Sequence, residues 1–292
     1  MKYSLFTVSV PELTPEQALI RMKECGYDSV DWRVAAIPND PDILKEEPSY
    51  WRNNRCTFDV ETIDQKAEEI KALCHQYGLH INMLCTYLTC RDSEESIERC
   101  MKAAKKMDCA RIRINAPSYD FKRTYGDLFD EAVEGFKKVE ALAKKHGVKA
   151  DFEMHMRTIV PSASAAFRLA SRFDPAYIGV IYDTGNVVYE GFEEYQMALE
   201  ILGPYLDLVH VKNARWVKKE MEGKEKFVPD WAPFADGYAD FEKTFQALKK
   251  IGYDGVITFE DFSSAENPEE KIKNDICYIR GIVEALNQKK QD

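Results

Sequence analysis

The chain has 292 residues, 45% of them hydrophobic and 31% charged, and a net charge of −10. That length suits one α/β barrel or two ordinary domains, and so large an acid excess argues against nonspecific binding to nucleic-acid phosphates. No run approaches the ~18 apolar residues of a membrane span. The opening MKYSLFTVSVPELTPEQ lacks the apolar core and small-residue cleavage site of a signal peptide, so no membrane association and a cytoplasmic location are expected.

The elements alternate from the start. YSLFTVSV reads as a strand and leads to the helical pattern TPEQALIRMKECGY, with Thr14 as its N-cap. DSVDWRVA is the second strand. A polar insertion from about Ile37 to Asp59 precedes the helix TIDQKAEEIKALCHQYG and the strand LHINMLCTY. DSEESIERCMKAAKKMDC then leads to ARIRINAP, YGDLFDEAVEGFKKVEALAKKHG to VKADFEMH, and SASAAFRLASRFDP to YIGVIYDTG. FEEYQMALEILGPY leads to LDLVHVKN. After a long loop, Ala214 to Asp240, DFEKTFQALKKIGY leads to DGVITFEDF, and NPEEKIKNDICYIRGIVEALNQ is the last helix.

The helical segments repeat apolar residues at i, i+3 and i+4, and the strands are short and rich in Val, Ile and Phe. Strands alternating with helices imply parallel β-α-β units. Eight such units predict a closed (β/α)8 TIM barrel, a single domain over residues 1–292. No GxGxxG turn follows any strand, which speaks against a doubly wound sheet, and both long loops would hang over the C-terminal rim. The eight cysteines contain no CxxC pair and read as free thiols in a reducing compartment.

Active sites of such barrels lie at the C-terminal ends of the strands. In KADFEMH, alternation puts Asp151, Glu153 and His155 on one face of the fifth strand. The sixth strand ends at Asp183, the seventh carries His210 and Lys212, and the eighth ends at Glu260. Taken singly, Asp183 before Thr-Gly is a turn former and His210 a core histidine. Together, three carboxylates converging on one rim repel one another, and a divalent cation is the simplest thing that stabilises them. His75, His80 and His146 fall at the opposite rim, so only His155 and His210 reach the site.

At these residues the sequence resembles the xylose-isomerase-like family of metal-dependent sugar isomerases and epimerases, over essentially the whole chain. The resemblance rests on FEMH, YDTGN, VHVKN and FADGYADFEKTFQALKKIGYDGVITFE. It implies Glu153, Asp183, His210 and Glu260 as metal ligands, with His155 facing substrate. Where the family often has a histidine three residues after the aspartate, this chain has Asn186. Three carboxylates and an imidazole suit Mn²⁺ best, with Mg²⁺ or Co²⁺ as alternatives. Trp32, Asn186, Lys212 and Arg215 are assigned to substrate, and Trp32 is expected to close over it with Trp216 and Trp231.

The expected chemistry is proton transfer beside a carbonyl of a sugar or sugar derivative, through an enediolate stabilised by the ion. In the isomerase or epimerase reading, Glu153 and Glu260 move the protons and His155 only orients a hydroxyl. In the alternative, a lyase resembling inosose dehydratases or the enzymes that cleave 3-oxo C-glycosides, His155 is the base. A homo-oligomer, or a small partner subunit under the lyase reading, is expected. The AP endonucleases share the fold, but they imply a histidine-rich zinc cluster that this chain cannot supply.

Overall fold

The computed structural model describes residues 1–264 and 266–288. Eight parallel strands form a closed ring: β1 (Lys2–Phe6), β2 (Ser29–Ala35), β4 (His80–Thr89), β5 (Arg111–Asn115), β6 (Lys149–Glu153), β7 (Ile178–Asp183), β8 (Leu206–Val211) and β11 (Val256–Phe259). Pairing of Lys2 through Leu5 with Val256 through Phe259 closes it. The expected (β/α)8 barrel is therefore the fold. A short strand, β3 (Thr57–Asp59), lies outside the ring. It pairs with Arg33–Ala35 of β2, beyond the point where β1 turns away at Thr7.

The helices are α1 (Pro15–Cys25), α2 (Ala67–Gln76), α3 (Glu94–Lys106), α4 (Tyr125–His146), α5 (Ala163–Ala170), α6 (Thr184–Tyr189), α7 (Tyr195–Leu202), α8 (Phe241–Lys250) and α9 (Pro268–Gln288). Thr14 caps α1 in a capping box with Gln17, as its sequence predicts. The second helix starts later than its apolar period suggests. Thr62 accepts from the amides of Gln65 and Lys66 in tight turns, and α-helical bonding begins at Ala67. None of the described helices is long and apolar enough to cross a membrane.

The loop expected from Ala214 to Asp240 is mostly a hairpin, β9 (Asn213–Met221) and β10 (Lys224–Ala232). Glu222 and Gly223 turn it with φ of 53° and 74°, the backbone of a two-residue turn that matches strand twist. Asn213 fixes its base, donating to the Phe234 carbonyl and accepting from the Ala239 amide. A Cβ on Gly237 would lie 2.0 Å from that side chain, so glycine is required there.

Strand alternation corrects the placement of Trp32. Asp31 and Arg33 point into the barrel, so Trp32 between them points out. It is fully buried in the layer between sheet and helices, edge-on to Phe58 at 4.8 Å, and does not reach the substrate pocket. Trp32→Ala should therefore cost about 3–5 kcal/mol of unfolding free energy in denaturant titrations, with KM unchanged.

Asp151, two residues below Glu153, occupies the barrel's lower end. It is fully buried and neither carboxyl oxygen has a directed hydrogen bond. Its neighbour Asp207 takes both nearby cations, Arg111 and Lys149. Burial, and then the Asp207 carboxylate, push the Asp151 pKa well above the usual range. The folded state thus holds this proton more tightly than the unfolded chain does. The resulting stability is complete below the ordinary carboxylate pKa and is lost as pH rises through the folded value. Asp151→Asn cannot ionise, so it should be the more stable protein at pH 8 and lose this advantage at pH 4.

Candidate active site

Four side chains from adjacent strands meet at the upper end of the barrel. Glu153 ends β6, Asp183 ends β7, His210 lies in β8, and Glu260 follows β11. All are buried, and one ligand atom from each lies within 4.8 Å of the others. His210 Nδ1 is 3.6 Å from Glu153 Oε1 and 3.9 Å from both Asp183 Oδ2 and Glu260 Oε2.

Asp183 is both a turn former and a cluster member. Its Oδ1 accepts from the amides of Gly185 and Asn186, capping α6, and Oδ2 is left for the cluster. Neither ring nitrogen of His210 has a hydrogen-bond partner. Unpartnered buried polar atoms are uncommon, and here they converge with three carboxylates. The donor set therefore fits a metal ion, and the cluster can hold one.

The electrostatics agree. Burial opposes ionisation of Glu153, but Arg113, His210 and Lys212 together outweigh it and hold the carboxyl well below its usual range. Burial pushes Asp183 up to about 8, with Lys212 opposing and the Glu153 and Glu260 charges adding to the rise. Lys212 Nζ is 2.5 Å from Glu260 Oε2 and 3.0 Å from Asp183 Oδ2, the second at an ion-pair distance without hydrogen-bond direction. Burial works against the ammonium, and Asp183 and Glu260 hold it charged.

Beneath the cluster, Asp31 accepts from Ser4 of β1, Asn82 of β4 and Thr258 of β11. Its Oδ2 is 3.9 Å from His210 Nε2, on the side of the ring away from Nδ1, which faces the carboxylates. Arg113 Nη1 donates to Glu153 Oε2 at 2.6 Å, and Asn186 Nδ2 donates to Glu153 Oε1 at 3.0 Å.

Above the cluster opens a pocket of about 600 Å³, within the usual range for small-molecule sites. Glu153, Glu260, Lys212 and His155 line it. An aromatic wall runs from Trp51 through Phe262 and Trp231 to Tyr189, with ring centroids 5.1, 5.4 and 4.4 Å apart. His155 lies past the end of β6, yet its ring reaches the pocket. Its Nδ1 donates to the Met156 carbonyl at 2.8 Å, which leaves Nε2 as the unprotonated nitrogen. Burial lowers its pKa below the ordinary histidine value.

Three substrate assignments change. Trp32 is in the core. Asn186 is buried off the pocket and acts on Glu153, because α6 begins there and turns its amide inward. Arg215, in β9, points out to Asp236. Of the hairpin tryptophans, Trp231 lines the pocket, and Trp216 is half exposed with its indole N–H on the Val188 carbonyl. Sequence reasoning missed Asp31, Trp51, Tyr87, Arg113, Tyr189 and Phe262. The alternation in SVDWRV and ARIRIN would have placed Asp31 and Arg113 inward.

Fold and site define a class: a (β/α)8 barrel with a buried acid–imidazole cluster, able to hold a metal, at the floor of an aromatic-walled pocket. The chain belongs to the xylose isomerase-like TIM barrel family, which matches residues 20–282. It is similar to the inosose dehydratase of Geobacillus thermodenitrificans, 27% identical over 181 residues, 58% of this chain and 59% of that protein. It thus spans little more than half the length of the curated relatives it matches. Its fold is similar to that of 3-keto-D-glucoside 4-epimerase from E. coli (TM-score 0.71, 17% identity, covering 96% of this chain and 99% of that one). It is also similar to that of the IOLI protein with a binding zinc atom (TM-score 0.66, 16% identity, covering 97% of this chain and 96% of that one).

Proposed function

We propose that this protein is a divalent-metal-dependent lyase. It removes a proton beside the carbonyl of a polyhydroxylated ring and expels a substituent from the next carbon. The observation that carries this reading is the state of His155. Its Nδ1–H is committed to a backbone carbonyl, its Nε2 is free, and burial keeps it neutral near pH 7. That is the equipment of a general base. Glu153 is a poorer one, because Arg113 and Asn186 occupy its two oxygens and Arg113 holds it ionised. The similarity to inosose dehydratases supports an elimination.

The ligands proposed are Glu153, Asp183, His210 and Glu260, with Mn²⁺ as the ion. Three hard oxygen donors and one imidazole suit it, and Mg²⁺ and Co²⁺ share the preference. A bound ion would supply Lewis-acid polarisation of the carbonyl. The protein does the rest. Lys212 offers a positive charge where an oxygen becomes negative. The aromatic wall packs against the apolar C–H face of the ring and keeps water from it. His155 takes the proton.

Isomerisation or epimerisation is the second reading, favoured by the two carboxylates, Glu153 and Glu260, that line the same pocket. The test is NMR in deuterated buffer with Mn²⁺-loaded protein and a panel of inososes, 3-oxo-glycosides and ketoses. Elimination gives an unsaturated ketone and a released group. Epimerisation gives deuterium incorporation with inverted configuration and nothing released. No exchange at any C–H in the panel would overturn both readings.

A further inference from the structure

Lys271, near the start of α9, is a buried cation that makes no ion pair among the described residues. Lysine is almost never fully buried unless paired, and this one is only 5% exposed. Asp261 and Asp275 feel its charge but lie beyond ion-pair distance. Its donors go instead to neutral oxygens. Nζ donates to the Ser263 carbonyl at 2.7 Å, the Asp261 carbonyl at 3.2 Å and the Tyr50 hydroxyl at 3.2 Å. The first two acceptors belong to the turn that follows Glu260, and the third to the loop before β3. One ammonium thus holds two loops together.

Both loops carry the aromatic wall of the pocket. The residues on either side of Phe262 give their carbonyls to Nζ, and the Asp261 carboxylate closes the same turn by accepting from the Ser263 amide and hydroxyl at 2.5 and 3.1 Å. The Phe262 ring has three aromatic neighbours, Tyr50 at 4.9 Å, Trp51 at 5.1 Å and Trp231 at 5.4 Å. From the other loop, the Tyr50 hydroxyl donates to the Ser263 carbonyl at 3.3 Å, and Trp51 follows directly in the chain. Phe262, Trp51 and Trp231 line the pocket, and Lys271 does not. Glu260 has separate anchors, its amide on the Val211 carbonyl and its carboxylate on Lys212.

We propose that Lys271 is a positioning residue, which holds Phe262 and Trp51 where they grip the apolar face of a polyhydroxylated ring. Three acceptors converge on it from two loops. A hydroxyl has one donor and a side-chain amide two, whereas an ammonium has three. Burying its charge is costly, and fixing both loops at once offsets that cost. Aromatic contacts depend on ring orientation, so loosening either loop should weaken ring binding while the acid–imidazole cluster keeps its own anchors. The inference rests on reading this pocket as the substrate site and adds the residue that sets the shape of its wall.

Two measurements on the Mn²⁺-loaded protein test it: amide hydrogen exchange by mass spectrometry, which reads local opening, and calorimetry with myo-inositol, a polyhydroxylated ring with no carbonyl to react. Lys271→Met keeps the apolar stem and removes all three donors. It should quicken exchange in both 46–54 and 261–264 and weaken myo-inositol binding roughly three- to tenfold, the scale of one aromatic contact, with Mn²⁺ affinity unchanged. Tyr50→Phe keeps its ring against Phe262 and loses only the hydroxyl. It should quicken exchange in 46–54 alone and weaken binding less, without lowering the melting temperature, and it guards against misfolding of the lysine variant. Native exchange rates in both variants, or native affinity for myo-inositol in both, would overturn the proposal. So would a Mn²⁺ affinity that falls in step with ring binding, because the whole site would then have loosened. A native protein that does not bind myo-inositol would overturn the ring-gripping role whatever the exchange shows. Neither measurement needs turnover, so failure of the lyase reading in the deuterium experiment leaves both decisive.

Discussion

Asp183→Asn should lose bound metal and about a thousandfold or more of activity while the barrel stays folded. Lewis-acid polarisation contributes several kcal/mol of transition-state stabilisation, and each 1.36 kcal/mol is a factor of ten in rate. The substitution separates the two jobs of this side chain. Asparagine keeps an oxygen for the amides of Gly185 and Asn186, at 2.9 and 2.7 Å in the native protein, so the cap on α6 survives. It replaces Oδ2, the atom turned to His210 and Lys212, with an amide that cannot ligate as a carboxylate does. Metal content after desalting, read beside a thermal melt, checks both halves. A variant that keeps its full complement of Mn²⁺ would remove Asp183 from the ligand set.

His155→Gln is the second large effect, a loss of about 10²–10⁴-fold in rate, the usual cost of removing a general base. Because the base must be neutral, the native rate should fall as pH drops through the His155 pKa. Burial lowers that pKa, so the limb should lie below the ordinary histidine value. The glutamine variant should show a flat profile there and retain its metal. The competing reading makes the opposite forecast. If Glu153 and Glu260 carry the protons, the variant keeps exchanging substrate protons with solvent at a few per cent of the native rate, and its acid limb persists.

The ring of strands and its acid–imidazole corner were legible because each depends on residues close in sequence. FEMH, YDTGN, VHVKN and ITFE each put a polar residue at the end of an apolar run, and that pattern survives without knowledge of the partner strands. Arg113 and Tyr87 were not legible in this way. Their roles arise from side-by-side placement of β2, β4, β5 and β6, and from an irregular pairing in β4 that no local pattern announces. Trp32 was misplaced for a different reason. A tryptophan near a strand end suggests a sugar platform, but the period-two rule that assigned Glu153 and His155 also turns Trp32 toward the helices. The hairpin was missed because Glu-Gly is a weaker turn signal than Asn-Gly or Asp-Gly, and its strands carry alternating charges rather than an apolar face.

Asp31 ties together strands from the two ends of the barrel. Its hydrogen bonds reach β1, β4 and β11, and it sits against His210. The seam where β1 meets β11 joins residues some 250 positions apart, as Lys2 with Val256. Contacts so distant in sequence are costly to close and form late. Glu260 follows β11, whose pairing with β8 sets it beside His210, so β6, β7, β8 and β11 can gather Glu153, Asp183, His210 and Glu260 before that seam closes. What the closing of the ring adds is Asp31, whose bond to Thr258 spans the closing side and sets its carboxylate under His210. An ion held by all four groups would then clamp four adjacent strands while the ring is still open, so that metal uptake could precede the last step of folding and template it.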